Sequence, residues 1–295
     1  MIEAIVLGLV QGLTEFLPVS SSGHLVVIPY LLSWERSGLV FDVALHFGTL
    51  LAVVAYFYGD VWFLATRTFG IGSPSPAETM RARRTVVLLA IGSVPAALAG
   101  FLLEDFFEGL FDNPRAVAGF LLVTAAILYG AEHVRRRRAS QTLGIGATAN
   151  EIRTLDVGRD EGTVSPRDAA AIGVAQALAI LPGISRSGAT IAAGMVRGLS
   201  REGAARFSFL LSVPVILGAS LFQLTQVVGG DAVTRFSGVE VAAGVLAAAI
   251  SGYWAIRYLL RLVTQEDLTG FARYVALFGV LTFVGTLWLG NPSAI

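Results

Sequence analysis

Six stretches of this chain are apolar for long enough to cross a bilayer, and that limits its fold more than anything else in it. A spanning helix needs about 17–25 residues, and residues 41–65, 85–103, 116–133, 205–228, 239–263 and 273–289 all fall within that length. Lipid offers no hydrogen bonds to an open backbone, so runs of this kind predict helices. Of 295 residues, 55% are hydrophobic and only 14% charged, where a soluble domain carries about a quarter. The expected fold is an all-α polytopic membrane protein with six transmembrane helices. Formal net charge is zero, so no global field draws nucleic acid. The chain has no cysteine, which removes disulfides, thiolate nucleophiles and Cys-based metal sites together. Its three histidines are too few and scattered for a His-rich metal site. No basic leader precedes Glu3, so insertion is expected to rely on the spans themselves.

Arginines in short loops set the orientation. Arg67, Arg81, Arg83 and Arg84 occupy the loop 66–84, and Arg135 to Arg138 open the segment 134–168. Between them a short connection holds Glu104, Asp105, Glu108 and Asp112. Both basic loops are expected on the cytoplasmic side of the cell membrane and the acidic one outside. Continuing the alternation puts Gly229 to Asp231 outside and 265–273 inside.

A repeat underlies the spans. Gln11-Gly-Leu-Thr-Glu-Phe-Leu-Pro-Val-Ser-Ser-Ser-Gly resembles Gln176-Ala-Leu-Ala-Ile-Leu-Pro-Gly-Ile-Ser-Arg-Ser-Gly, and a Phe-led span follows each. Each stretch is apolar but broken midway by proline, glycine and serine, leaving halves too short to cross. Two re-entrant helical hairpins are expected, each followed by three spans. Three is odd, so the second copy enters inverted, and broken helices of inverted-topology repeats place a binding site near the midplane. The organisation is then 1–133, first repeat; 134–168, a flexible cytoplasmic linker without visible chemistry; and 169–295, second repeat.

The polar residues of the two turns are the candidates for chemistry. Gln11 and Glu15 share one face of the first half-helix, and a carboxylate in an apolar helix is costly unless it is used. Ser20, Ser21, Ser22 and His24 follow, so carboxylate, hydroxyl and imidazole, the parts of an activated nucleophile, lie together. The serines also suit helix capping. In the second turn, Arg186 between Ser185 and Ser187 offers a planar fork matched to phosphate oxygens, beside backbone N–H groups suited to anions. An Arg186–Glu15 ion pair is the structural alternative, and the two readings are compatible. His46, one turn from Asp42, reads as a structural polar contact, and Asp42 as a possible cation group at the outer mouth. Glu132, His133, Arg135 to Arg138, Arg197, Arg201 and Arg206 read as anchors at the cytoplasmic face. A hard divalent cation, Mg²⁺ or Ca²⁺, would use Glu15 and the phosphates of a substrate. Phosphoryl transfer from a lipid diphosphate fits these parts. A transporter or flippase for a polyprenyl phosphate is the competing reading, because broken inverted repeats also serve transport.

At Glu15-Phe-Leu-Pro-Val-Ser-Ser-Ser-Gly-His24 and Pro182-Gly-Ile-Ser-Arg-Ser-Gly-Ala-Thr190 the chain resembles a known family, the undecaprenyl-diphosphate phosphatases or bacitracin-resistance proteins. The likeness continues through Ile91-Gly-Ser-Val-Pro95 and Phe207-Ser-Phe-Leu-Leu-Ser-Val-Pro214 and covers nearly the whole length. It implies removal of the terminal phosphate of a C55 polyprenyl diphosphate carrier, dependence on a divalent cation, and a homodimer. Carried over by position, it implies a catalytic core of Glu15, Ser21, His24 and Arg186. Ser20, Ser185, Ser187 and Thr190 would hold phosphate oxygens, with Gln11 and Ser22 joining the substrate-binding set. The family's acidic helix motif often begins with Glu; Gln11 stands there in this chain, which raises the importance of Glu15. Ser21 and His24 both stay open as the attacking group.

Overall fold

The structure is a computed structural model. It describes all residues except 36, 112, 145, 147, 229–233 and 289–295, and the side chains of all those described except 39, 104, 105, 108, 149 and 223–228. Asp112, the side chains of Glu104, Asp105 and Glu108, Gly229 to Asp231 and the expected end of the last span at Leu289 therefore lie outside the described residues.

Among the described residues no strand forms and most lie in helices, as the hydropathy predicts. The first broken segment is α1 (Ile2–Phe16) and α2 (Ser21–Leu32). Proline pushes the residue before it into extended backbone, and Leu17, ahead of Pro18, has φ −68° and ψ 143°, which ends α1. Next come α3 (Leu39–Tyr56), α4 (Tyr58–Thr68), α5 (Pro76–Leu102), α6 (Glu104–Phe111) and α7 (Pro114–Leu143). A short α8 (Ala149–Thr154) precedes the second broken segment, α9 (Pro166–Leu178) and α10 (Arg186–Val196). The chain closes with α11 (Arg201–Val228), α12 (Gly238–Val263) and α13 (Thr269–Trp288).

Among the described residues five helices, α5, α7, α11, α12 and α13, are long and apolar enough to cross a membrane. The sixth expected span is α3 with α4, and it is not a single rod. The chain bends by 80° between them. α4 carries Asp60 and Arg67 and exposes Tyr58 and Trp62, a set suited to the membrane interface. Arg206 of α11 holds the corner, pairing with Asp60 at 3.4 Å while its guanidinium lies 5.4 Å from the Phe57 ring centroid. α3 alone still covers about 27 Å at 1.5 Å per residue.

The four half-helices, α1, α2, α9 and α10, have 15, 12, 13 and 11 residues, each shorter than the roughly 20 a crossing needs. α1 and α2 lie against one another, as do α9 and α10. α1 packs mainly on α12 and α9 on α5, so the leading half-helix of each broken segment leans on a span from the other half of the chain. Small residues permit the approach, the usual device where helices meet in lipid. A Cβ on Gly8 would sit 2.3 Å from the Gly244 carbonyl oxygen, and one on Gly173 would sit 2.7 Å from that of Gly92. Gly8 stands three residues before Gln11 and Gly173 three before Gln176, so the packing repeats with the sequence.

The segment expected to be a flexible linker is largely docked. α7 continues through Leu143, and Arg135 binds the carbonyls of Leu155 and Ile152 at 2.9 and 2.7 Å. Asp156 accepts from the N–H groups of Arg201 and Glu202, capping α11. Arg135 and Arg201 are not surface anchors: both are buried around Glu132, whose carboxylate accepts from Arg201 Nε at 2.8 Å, Arg135 Nε at 2.9 Å and the Leu268 N–H at 3.0 Å. Nearby, Asp168 caps α9 in a box with Ser165. Burial raises its pKa, but bonds from the Ser165 N–H and hydroxyl, Arg197 and Arg159 outweigh that and hold the carboxyl far below the usual range.

Candidate active site

The two broken turns meet, and their hydrogen bonding repeats. Ser20 and Ser185 are the N-caps of α2 and α10, accepting from Gly23 N–H at 3.2 Å and Gly188 N–H at 3.1 Å. The Ser20 hydroxyl lies 3.3 Å from that of Ser22, and the Ser185 hydroxyl 3.2 Å from that of Ser187. The turns also complete each other. Ser187 donates to the Leu17 carbonyl at 2.9 Å, and Ser22 accepts from the Gly183 N–H at 3.3 Å. Gly183 is required here: its φ is +100°, and a Cβ would lie 2.5 Å from the Val117 carbonyl oxygen. Ser20 holds φ 72° and ψ 97° without being glycine, a strained conformation of a kind that clusters at functional sites.

Ser21 and Arg186 occupy the same slot, the first residue of the helix after each turn, and both reach Glu15. Ser21 Oγ donates to Glu15 Oε2 at 2.6 Å; Arg186 Nη2 donates to Oε1 at 2.7 Å. Gln11 Nε2 adds a third bond to Oε2 at 3.1 Å. Glu15 is thus buried but fully partnered, as a carboxylate at such depth must be. Arg186 keeps its Nη1 buried without a hydrogen-bond partner. The ion pair read as the alternative therefore exists and still leaves a donor over.

His24 belongs to the same turn but faces elsewhere. Its Nδ1 lies 2.7 Å from the Ser20 carbonyl oxygen, which can only accept, so Nδ1 carries the hydrogen. Nε2 meets the Tyr274 hydroxyl at 2.8 Å, and the ring stacks on Phe278 with centroids 4.3 Å apart. Both nitrogens are engaged and neither touches Ser21. Ser185, Ser187 and Thr190 are also wholly buried. Thr190 bonds the Arg186 carbonyl at 2.8 Å and the Ser208 hydroxyl at 2.6 Å. The structure therefore brings together Gln11, Glu15, Ser21 and Arg186, and turns His24, Ser185, Ser187 and Thr190 to the scaffold around them.

Two neighbours escaped sequence reasoning. Tyr274 lies 250 residues from His24, and nothing in its local pattern marks it. His46 had been paired with Asp42, but it bonds only the Asp42 backbone carbonyl, through Nδ1 at 2.7 Å, and turns Nε2 to within 3.8 Å of Glu15 Oε2. Its position one turn after Asp42 in an apolar span was the available signal. Asp42 itself accepts from Ser37.

For a divalent cation, the oxygens near this point are the Glu15 carboxylate and Gln11 Oε1, which is buried and has no partner while the amide turns its Nε2 to Glu15. No group of three His, Asp or Glu residues suited to a metal exists among the described residues. Arg186 already neutralises Glu15, so a cation needs the charge of a bound diphosphate as well. With that addition the oxygen set fits a hard cation.

The family model of bacitracin resistance protein BacA matches residues 4–281. This chain belongs to that family. Undecaprenyl-diphosphatase 2 of Stutzerimonas stutzeri is 39% identical over 284 residues, covering 96% of this chain and 97% of its own. The undecaprenyl-diphosphatase of Moorella thermoacetica is 40% identical over 289 residues, 98% of each chain. The undecaprenyl-diphosphatase of Methanobrevibacter smithii is 40% identical over 295 residues, covering 97% of this chain and 98% of its own. Membership of this family and the apolar helices together make the chain a multi-pass membrane protein.

Proposed function

We propose that this protein is a membrane phosphatase that hydrolyses undecaprenyl diphosphate, or a closely similar polyprenyl diphosphate, to the monophosphate and inorganic phosphate. Such a reaction returns a lipid carrier to cell-envelope glycan synthesis. The observation that carries the reading is the hydrogen-bonded chain from Ser21 through Glu15 to Arg186, formed where two broken turns meet inside a lipid-soluble fold.

Each residue has a role that its geometry supports. Ser21 Oγ attacks the terminal phosphorus, and Glu15 Oε2, already accepting from that hydroxyl, takes the proton. The bond from that phosphorus to the bridging oxygen breaks, and the lipid monophosphate leaves with the electron pair. Water then hydrolyses the phosphoserine. Arg186, with Nη2 on Glu15, directs Nη1 to a phosphate oxygen, where a fixed charged donor is worth about 10²–10³ in rate. His24 is a positioning residue: its N–H on the Ser20 carbonyl and its stacking on Phe278 hold the strained turn in place. Glu15 and Gln11 Oε1 would hold a divalent cation, which when bound offsets charge on the diphosphate. The alternative, transport of a polyprenyl phosphate, calls for the guanidinium but gives no role to a serine activated by a carboxylate.

The half-helices are re-entrant hairpins of two inverted repeats, 1–133 and 169–295, which their short length and the exchange of packing partners support. The Arg-rich loops 66–84 and 134–168 face the cytoplasm of a cell membrane, and the protein acts as a homodimer. Phosphate release from a C55 polyprenyl diphosphate, measured on purified protein with and without EDTA, tests the reading. Ser21→Ala and Arg186→Ala should each lower kcat by at least about 10²-fold. Near-normal turnover in either variant overturns it, and reconstituted protein that moves labelled lipid phosphate without releasing phosphate decides for transport.

A further inference from the structure

We infer that the cavity beside the first broken turn, at the arginine-rich end of the molecule, binds a glycerophospholipid with a singly charged phosphodiester head. This site is separate from the hydrolytic one: Gln11, Glu15, Ser21 and Arg186 do not line it.

The cavity holds about 860 Å³ between the end of α1, the end of α12 and the start of α13, and Arg136 of α7 and Arg153 of α8 also line it. Ligand pockets span about 300–1,000 Å³, so there is room for a headgroup, its glycerol and the first carbons of two chains. The lining is of two kinds. Leu13, Leu17, Leu262 and Phe271 are apolar, and Arg136, Arg153, Arg273, Glu266 and Asp267 are charged. Apolar surface next to arginines at the ends of spans suits an amphipathic ligand, and basic pockets between spans take anionic lipid heads. The carbonyls of Ile152 and Arg153 accept from Arg135 at 2.7 and 3.2 Å, which keeps α8 in place beside the cavity.

Charge decides which head. Arg136 pairs with Asp267 and also donates to the Thr269 hydroxyl at 3.1 Å. Arg153 pairs with Glu266 at 2.7 Å. Arg273 is exposed, with no ion pair or side-chain hydrogen bond among the described residues. One cation is thus left over in a cavity whose other charges cancel. A phosphodiester brings one negative charge, and its two free oxygens match the guanidinium fork. A phosphomonoester or diphosphate brings more charge than the lining offsets, and a zwitterionic head brings an ammonium that Arg273 repels. Tyr274 lines the cavity too, and its hydroxyl meets His24 at 2.8 Å, so bound lipid packs against a residue that supports the catalytic turn.

The test is native mass spectrometry of the purified full chain released from nanodiscs of phosphatidylglycerol and phosphatidylcholine in equal amounts. One phosphatidylglycerol per chain should stay bound, preferred over phosphatidylcholine by about fivefold, the factor equivalent to about 1 kcal/mol for one arginine near anionic lipid. Arg273→Gln should abolish that preference. Arg261→Gln, in the last turn of α12 but outside the cavity, should keep it. Gly270→Leu is a second variant that retains every charge. Gly270 lines the cavity and a Cβ there meets nothing within 4 Å, so leucine fills the space without strain and should remove the bound lipid. Equal retention of the two lipids, an unchanged preference in Arg273→Gln or Gly270→Leu, or its loss in Arg261→Gln overturns the inference. A polyprenyl monophosphate that displaces phosphatidylglycerol at equal concentration, and no longer does so in Gly270→Leu, assigns the cavity to the reaction product and overturns the phospholipid as occupant.

Discussion

Tyr274 shows how much a single residue can contribute without touching the reacting group. Its hydroxyl is the partner of His24 Nε2, and through His24 it bears on the Ser20 carbonyl and the turn that carries Ser21. Removing the hydroxyl leaves a buried nitrogen unsatisfied, at a cost of about 1–3 kcal/mol. Tyr274→Phe is expected to lower kcat about tenfold with little change in KM, and to have no further effect in a His24→Asn background, because the two act as one unit. Additive losses in that double-mutant cycle would refute the linkage. At this scale the sequence speaks clearly wherever charge meets lipid. Glu15 and Arg186 are legible because an unpaired charge there is expensive, and Ser21 because it follows Glu15 in the first broken turn. Tyr274 and His46 are not, since a tyrosine or histidine in a span carries no such cost and its partner comes from another helix.

Among the elements, α1 depends on α12 being close. A Cβ on Gly12 would fall 2.0 Å from Ser251 Oγ and 2.4 Å from the Ala248 carbonyl oxygen, so backbone has to move. Gly12 lies less than one turn from Glu15, and pushing α1 outward shifts that carboxylate from Ser21 and Arg186. Gly12→Val is expected to destabilise the protein by about 1–3 kcal/mol and to depress activity further than the loss of folded protein explains. Gly119→Val, where a Cβ meets nothing within 4 Å, is the control for thermal unfolding in detergent. Helix existence and the positions of the two breaks follow from hydropathy, proline and serine. The 80° corner at Phe57 does not, because residues 41–65 are apolar on average, and only the pairing of Asp60 with Arg206 reveals that the run is two pieces.

For the whole molecule, Glu132 is the principal tie at the arginine-rich end. It joins α7 to the start of α11 and to the turn before α13, so one carboxylate fixes three elements from both halves. Taking one partner from a buried ionic cluster typically costs about 3–5 kcal/mol. Glu132→Ala, which leaves Arg135 and Arg201 buried without their anion, should lower the unfolding midpoint far more than Glu266→Ala at the exposed pair with Arg153. Equal shifts in a detergent melt would contradict the assignment. Reading loops by composition alone missed this: a Gly- and Thr-rich segment looks mobile until the arginines that bind its carbonyls are placed beside it.

The interlocking of the turns has a consequence for the order in which the protein is made. Ser187 closes on Leu17, Gly183 on Ser22, and α1 finds its main partner in α12. The earliest residues to leave the ribosome thus wait for some of the last. Until α10 and then α12 have been synthesised, Glu15 lacks first its arginine and then its supporting helix, and the nascent chain must shelter that acid by some other means. Maturation of this enzyme is a late event, coming after translation has nearly finished, and a fragment ending before α12 should be inserted yet inert.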